Sequence, residues 1–154
     1  MAMHTWFECR IRYEKVVENG MQKKVTEPYL VDALSFTEAE ARIIEEMTPF
    51  ISGEFTVSDI KRANYSELFP SDEESADRWF KCKLIFITLD EKSGAEKKTS
   101  TQVLVQAADL RDAVKKLDEG MKGTMADYQI ALVSETPLMD VYPYSAEPND
   151  KPEV

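Results

Sequence analysis

The sequence predicts an α+β protein built from a ββαβ unit that occurs twice in tandem. Three observations predict this fold class: a repeated segment, period-2 alternation of apolar and polar residues, and two helix-capping sequences. Two copies of roughly 65 residues would each be marginally stable alone, because small domains bury too little surface. We therefore expect one pseudo-symmetric body with a shared core, in which two helices pack on an antiparallel-rich sheet.

The repeat is visible as Trp-Phe-Glu-Cys-Arg at 6–10 and Trp-Phe-Lys-Cys-Lys at 79–83. Further blocks align in the same order, with a one-residue insertion in the second copy. The boundaries that follow are a first repeat at 1–70, an acidic linker at 71–78, a second repeat at 79–144 and a disordered tail at 145–154.

Each copy begins with two strands that form a hairpin. In the first strand Phe7, Cys9 and Ile11 alternate with charged residues, as in a strand with one buried face. Asn19-Gly20 suits the tight turn that follows, and a return strand carries inward residues up to Ala33. The second copy repeats this pattern with Phe80, Cys82, Leu84, Phe86, Val103, Val105 and Ala107.

The helices are marked by their first residues. Ser35 and Glu38 have the spacing of a capping box, and Asp109 with Asp112 repeats the arrangement with acidic side chains. Third strands are expected at roughly 54–62 and 126–134. A right-handed crossover places each third strand parallel to the second strand and beside the first. The predicted core faces of the helices are Phe36, Ala39, Ile43 and Met47, and Leu110, Ala113, Leu117 and Met121.

The composition restricts the class of protein. Apolar residues make up 43% of the 154 residues and charged residues 31%, as in soluble globular proteins. No apolar run approaches the roughly 18 residues of a membrane span. The first residues lack the basic start and apolar run of a signal peptide, and there are two cysteines, so we expect a cytoplasmic protein. The net charge of −10 excludes a generally cationic surface.

The segment 6–10, followed by 28–42 (Pro-Tyr-Leu-Val-Asp-Ala-Leu-Ser-Phe-Thr-Glu-Ala-Glu-Ala-Arg), resembles an uncharacterised protein family. That family is a domain of unknown function from Bacteroidetes genomes and their mobile elements. The resemblance extends over the chain before the tail. It implies an accessory role in mobile-element or nucleic-acid biology, and it assigns no catalytic residue and no cofactor.

Residues that carry chemistry are sparse. His4 is the single histidine, and the five glycines form neither a dinucleotide-binding nor a phosphate-binding motif. Cys9 and Cys82 lie on inward strand faces and have no zinc-site spacing, which favours core packing. The carboxylates at 72–77 could bind a hard cation, but they lack the pattern of a calcium loop and favour a solvated linker. We predict no catalytic, cofactor-binding or metal-binding residue.

Two features indicate interaction surfaces. Ile85 and Ile87 occupy outward positions of the second repeat's first strand, so the sister repeat or another protein must cover them. Trp6 and Trp79 each lie near basic residues, a combination that small α+β folds use to hold single-stranded nucleic acid. The basic residues concerned are Arg10, Arg12, Lys81 and Lys83.

These features lead to three functional hypotheses. The first is a non-enzymatic protein-interaction or regulatory module, accessory to a mobile element, with a protein partner. The alternative is a single-stranded nucleic-acid-binding protein that uses the aromatic and basic sheet face. The third is a metal- or carboxylate-dependent enzyme. We expect no membrane partner, and either a monomer with internal pseudo-symmetry or a homodimer.

Overall fold

The computed structural model describes residues 5–143, which contain two helices and eight strands in two four-stranded mixed sheets. The predicted α+β class with antiparallel-rich sheets is confirmed. The predicted tail at 145–154 and His4 lie outside the described residues. The elements are β1 (Trp6–Val16), β2 (Gln22–Asp32), α1 (Phe36–Met47), β3 (Phe55–Ala63), β4 (Glu67–Phe69), β5 (Arg78–Leu89), β6 (Glu96–Ala107), α2 (Leu110–Gly120), β7 (Asp127–Glu135) and β8 (Asp140–Tyr142).

The two sheets have the same internal arrangement. The first has the strand order β3-β1-β2-β8 and the second β7-β5-β6-β4. In each, the first strand of a hairpin pairs antiparallel with both neighbours, and a three-residue strand joins the outer edge in parallel. The third strands thus lie beside the first strands, as the crossover rule predicts.

The chain divides into two compact units that differ from the predicted repeats. Unit 1 consists of the described parts of Met1–Asn64 and Leu138–Val154, and unit 2 is Tyr65–Pro137. The difference arises from the short strands: β4 pairs with β6 of unit 2, and β8 pairs with β2 of unit 1. The structure shows one cluster of buried apolar residues in each unit. The internal duplication and a core shared by the two repeats therefore stay predictions.

In each unit a helix covers one face of the sheet. Ala39 and Ile43 of α1 pack with Phe7, Cys9 and Ile11 of β1. Unit 2 repeats this packing with Ala113, Leu117, Phe80, Cys82 and Leu84. Neither helix, within residues 5–143, has the length and apolar content needed to cross a membrane.

The predicted capping sequences begin both helices. The Ser35 hydroxyl accepts a hydrogen bond from the Glu38 N–H at 3.1 Å, and the Asp109 carboxylate accepts one from the Asp112 N–H at 2.8 Å. Glu38 and Asp112 in turn accept from backbone N–H groups just before each helix. The bonds to Ser35 and Asp109 satisfy N–H groups that the first turn of a helix leaves without an internal acceptor, and the other two fix the chain that enters each helix.

A cation on each helix holds the chain that follows the short parallel strand. Arg42 of α1 donates to the Pro143 carbonyl at 3.2 Å and to the Asp32 carbonyl. Lys116 of α2 donates to the Ser71 hydroxyl at 3.1 Å and to the Glu73 carboxylate at 2.8 Å. The acidic linker of the sequence analysis is therefore tied to α2 at Glu73.

The end of α2 packs closely on β4. Gly120, the last residue of the helix, lies against the ring of Phe69. A Cβ atom built on Gly120 would lie 2.9 Å from two carbons of that ring, which is closer than real Cβ atoms approach a neighbour. The lack of a side chain at Gly120 therefore lets the end of α2 pack against Phe69 of β4.

Candidate functional site

All eight predicted interaction residues lie on the sheet face opposite the helix, three of them in unit 1 and five in unit 2. Because side chains alternate along a strand, Phe7, Cys9 and Ile11 point toward α1 and the even-numbered residues of β1 point away. We call the second surface of each sheet its helix-distal face. It carries Trp6, Arg10 and Arg12 in unit 1, and Trp79, Lys81, Lys83, Ile85 and Ile87 in unit 2.

The two tryptophans are buried. Trp6 is 2% exposed and Trp79 is 6% exposed. Stacking on a nucleobase needs an open ring face, and these rings do not offer one. The expectation that both rings are available on an open sheet is thus corrected, while nucleic-acid binding itself stays a prediction.

The basic residues of unit 1 lie among carboxylates. Arg10 is exposed, lies 3.6 Å from the Glu8 carboxylate, and is paired in register with Asp59 of β3. Arg12 is followed on the same face by Glu14, which is paired in register with Lys24 of β2. Alternating signs at this spacing give no continuous cationic track for a phosphate backbone.

Unit 1 also contains an open pocket beside this face. Its volume is about 870 Å³, and its charged lining residues are Arg12, Glu14, Lys24 and Glu54. Two cations and two carboxylates leave the lining without net charge. The pocket therefore does not favour an anionic or a cationic ligand by charge.

The helix-distal face of unit 2 is different, because apolar side chains replace charged ones. Ile85 and Ile87 are half-buried and lie beside exposed polar residues of β6 and β7. Leu132 of β7 is 44% exposed and is paired in register with Lys83. The polar neighbours in register are Lys98, Ser100, Asp127 and Gln129.

Leu132 was not among the predicted site residues. Ile130 is 37% exposed, but it is paired in register with Leu84 and so belongs to the face that α2 covers. The signal was present in the run Ile-Ala-Leu-Val at 130–133, which breaks the alternation expected of a strand with one buried face. An apolar run without alternation on an edge strand leaves apolar side chains exposed to solvent.

The cysteine side chains are poor nucleophiles in the folded protein. Cys9 and Cys82 are fully buried, and burial raises the pKa of the Cys9 thiol to about 12 and that of Cys82 to about 11. The thiolate is the reactive form of cysteine, and at neutral pH both groups keep their protons. Within residues 5–143, no three histidine, cysteine or acidic side chains are grouped to hold a metal ion.

The raised thiol pKa values predict a loss of stability in alkali. An unfolded chain releases these protons near the ordinary pKa of 9.0, whereas the folded chain keeps them until about 11 to 12. Their contribution to stability is complete below pH 9.0 and is lost as the pH rises toward the folded values. Urea unfolding at a series of pH values should show the decline, and its onset should move to higher pH in Cys9→Ala/Cys82→Ala. An onset at the same pH in this variant would show that the two thiols do not cause the decline.

Comparison with known proteins identifies a family without adding a ligand or an activity. The model of a family described as "Domain of unknown function (DUF4494)" matches residues 5–144. No curated protein and no solved structure matches the chain.

Proposed function

Because the chain belongs to the family described as Domain of unknown function (DUF4494), which supplies no activity, we propose from the geometry of unit 2 that it is a non-enzymatic protein-interaction module. Its binding surface is the helix-distal face around Ile85, Ile87 and Leu132, which we call the isoleucine face. We also propose that it acts as a regulatory accessory of a Bacteroidetes mobile element, and the resemblance at 6–10 and 28–42 supports this role.

One observation carries the proposal: the isoleucine face is apolar at its centre and polar at its rim. Ile85, Ile87 and Leu132 are partly open to water, and the neighbours in register are polar or charged. Protein interfaces commonly have an apolar centre with a polar rim, and a stable one covers about 800 Å² on each partner. The corresponding positions of β1, before the hairpin of unit 1, are Arg12 and Glu14.

The experiment places the residue types of Arg12 and Glu14 at the corresponding positions of unit 2. The tagged full chain is incubated with lysate of its source organism, with and without nuclease treatment, beside an Ile85→Arg/Ile87→Glu variant. We expect the amount of captured protein to fall by about tenfold or more in the variant, because charged side chains then occupy the apolar centre. Long polar side chains can reach solvent from half-buried sites, so the variant should fold, and circular dichroism checks this.

The matched control is Arg12→Ala/Glu14→Ala, which alters the corresponding positions of unit 1 and should retain the same proteins. Equal recovery by all three chains, or no specific recovery by the unmodified chain, would contradict the proposal. Recovery that disappears after nuclease treatment would support the alternative, a single-stranded nucleic-acid-binding protein, for which Lys81 and Lys83 are the remaining candidates.

A further inference from the structure

We propose that the outer edge of β7 binds an extended segment of a protein partner by strand addition, and that this segment has an apolar middle with basic residues at both ends. The inference rests on the proposed function, since it specifies how the interaction module holds its partner. In strand addition, the backbone groups of the sheet edge pair with the added segment, and alternate side chains set the specificity.

The edge of β7 has the properties of an acceptor strand. Among residues 5–143, β7 is the last strand of its sheet on this side, and it extends over Asp127–Glu135. Both of its charged residues are at its ends, and the seven residues between them include neither lysine, arginine nor proline. Natural proteins usually protect a strand of this kind with charges or proline, because its free backbone groups otherwise pair with other chains.

The equivalent strand of unit 1 shows that this fold can carry such protection. β3 occupies the same place in its sheet, and it contains Asp59, Lys61 and Arg62. Both strands have a register shift at the same point: Asp59 lies opposite Arg10, and Leu132 lies opposite Lys83. A carboxylate therefore faces the cation in unit 1, whereas a partly exposed leucine faces it in unit 2.

The charges at the ends of β7 select the occupant. Asp127 and Glu135 are both exposed, and Glu135 shares a solvent-exposed ion pair of 3.7 Å with Arg78. Unit 2 as a whole contains ten basic and fourteen acidic residues. Opposite charges across an interface steer association and fix its register, so a segment with basic ends is favoured.

A second copy of the same strand is disfavoured by the same charges. In a centred antiparallel pair of β7 strands, Asp127 of each copy would lie opposite Glu135 of the other. In a parallel pair, identical carboxylates would face each other. Like charges directly opposite one another destabilise a strand pair.

The experiment uses three synthetic peptides as probes with the isotope-labelled full chain. The first has five alternating valines and threonines between two lysines at each end, the second replaces the lysines with glutamates, and the third is the first with N-methylated backbone. We expect the lysine peptide to slow hydrogen exchange at alternate amides of β7. The other two should bind at least about tenfold more weakly, because they lose charge attraction or backbone pairing.

A variant of β7 gives the second measurement. Ser134→Lys places a cation beside Glu135 and should weaken binding of the lysine peptide by about tenfold, because it repels the lysines at that end. Ser134 is half-buried, and a long lysine side chain can reach solvent from such a site, so the variant should fold. The matched control, Asp59→Asn in β3, should bind like the unmodified chain.

Equal binding of the lysine and glutamate peptides, protection outside β7, or no binding up to about 1 mM would overturn this inference. If Ile85→Arg/Ile87→Glu still reduces capture of lysate proteins by about tenfold, the interaction module stands and only strand addition fails. If both measurements fail, the proposed function fails with it.

Discussion

Replacing Phe80 with alanine is expected to lower the free energy of unfolding by about 3–5 kcal/mol, the range typical of truncating a buried phenylalanine. Phe80 is 1% exposed and belongs to the buried cluster that joins β5, β6 and α2. Removing the ring leaves a cavity under α2 and removes contacts with Leu117 and its neighbours. Urea unfolding followed by circular dichroism measures the loss.

Two comparisons make the result specific. Phe7→Ala, at the corresponding place in unit 1, should cost a similar amount; the Phe7 ring also lies edge-on to Phe36, with 4.9 Å between the ring centres. Ser100→Ala, at an exposed site of β6, should change stability by less than about 0.5 kcal/mol. A cost of under about 1 kcal/mol for Phe80→Ala would show that this cluster is not a packed core.

Gly120→Ala is the second substitution with a large expected effect. It should lower the free energy of unfolding, although helix propensity predicts an increase. Alanine is about 1 kcal/mol better than glycine inside a helix, so propensity alone predicts stabilisation. Here the added Cβ would lie 2.9 Å from the Phe69 ring, and the ring or the end of α2 must move. Overpacking of this kind typically costs about 1–3 kcal/mol, and we expect a net loss in urea unfolding.

A second substitution separates the clash from other effects. In the background of Phe69→Leu, where the aromatic ring is absent, Gly120→Ala should cost less than in the unmodified chain. A double-mutant cycle gives the coupling between the two positions. Stabilisation by Gly120→Ala in the unmodified chain would mean that β4 does not pack on the end of α2 as described.

Much of the fold could be predicted from short-range signals. The alternation of Phe7, Cys9 and Ile11 predicts a strand with one buried face, and these side chains do lie under α1. Ser35 and Asp109 predict helix starts because a cap needs a side-chain oxygen three residues before an N–H, a purely local condition. Such features depend on few neighbouring residues, so the sequence alone contains them.

The short strands β4 and β8 could not be predicted in the same way. Three residues are too few for periodicity to show, and pairing with β6 or β2 depends on a partner far away in the chain. The burial of Trp6 and Trp79 was missed for a related reason: a strand pattern tells which face a side chain occupies, but not how deeply that face is buried. The edge position of β7 could not be predicted without the sheet order, in which this strand has one neighbour within the described part of the chain.

The pairing of β8 with β2 has a consequence for the order in which the chain is built. Tyr29 is synthesised early and Asp140 only after the whole of unit 2, yet the two lie opposite each other. On the ribosome, unit 2 can be complete while the sheet of unit 1 still lacks its fourth strand. Contacts between distant parts of a chain form slowly, since a long loop must close first. During synthesis β2 is therefore an open edge, and its pairing with β8 cannot form before unit 2 has been synthesised.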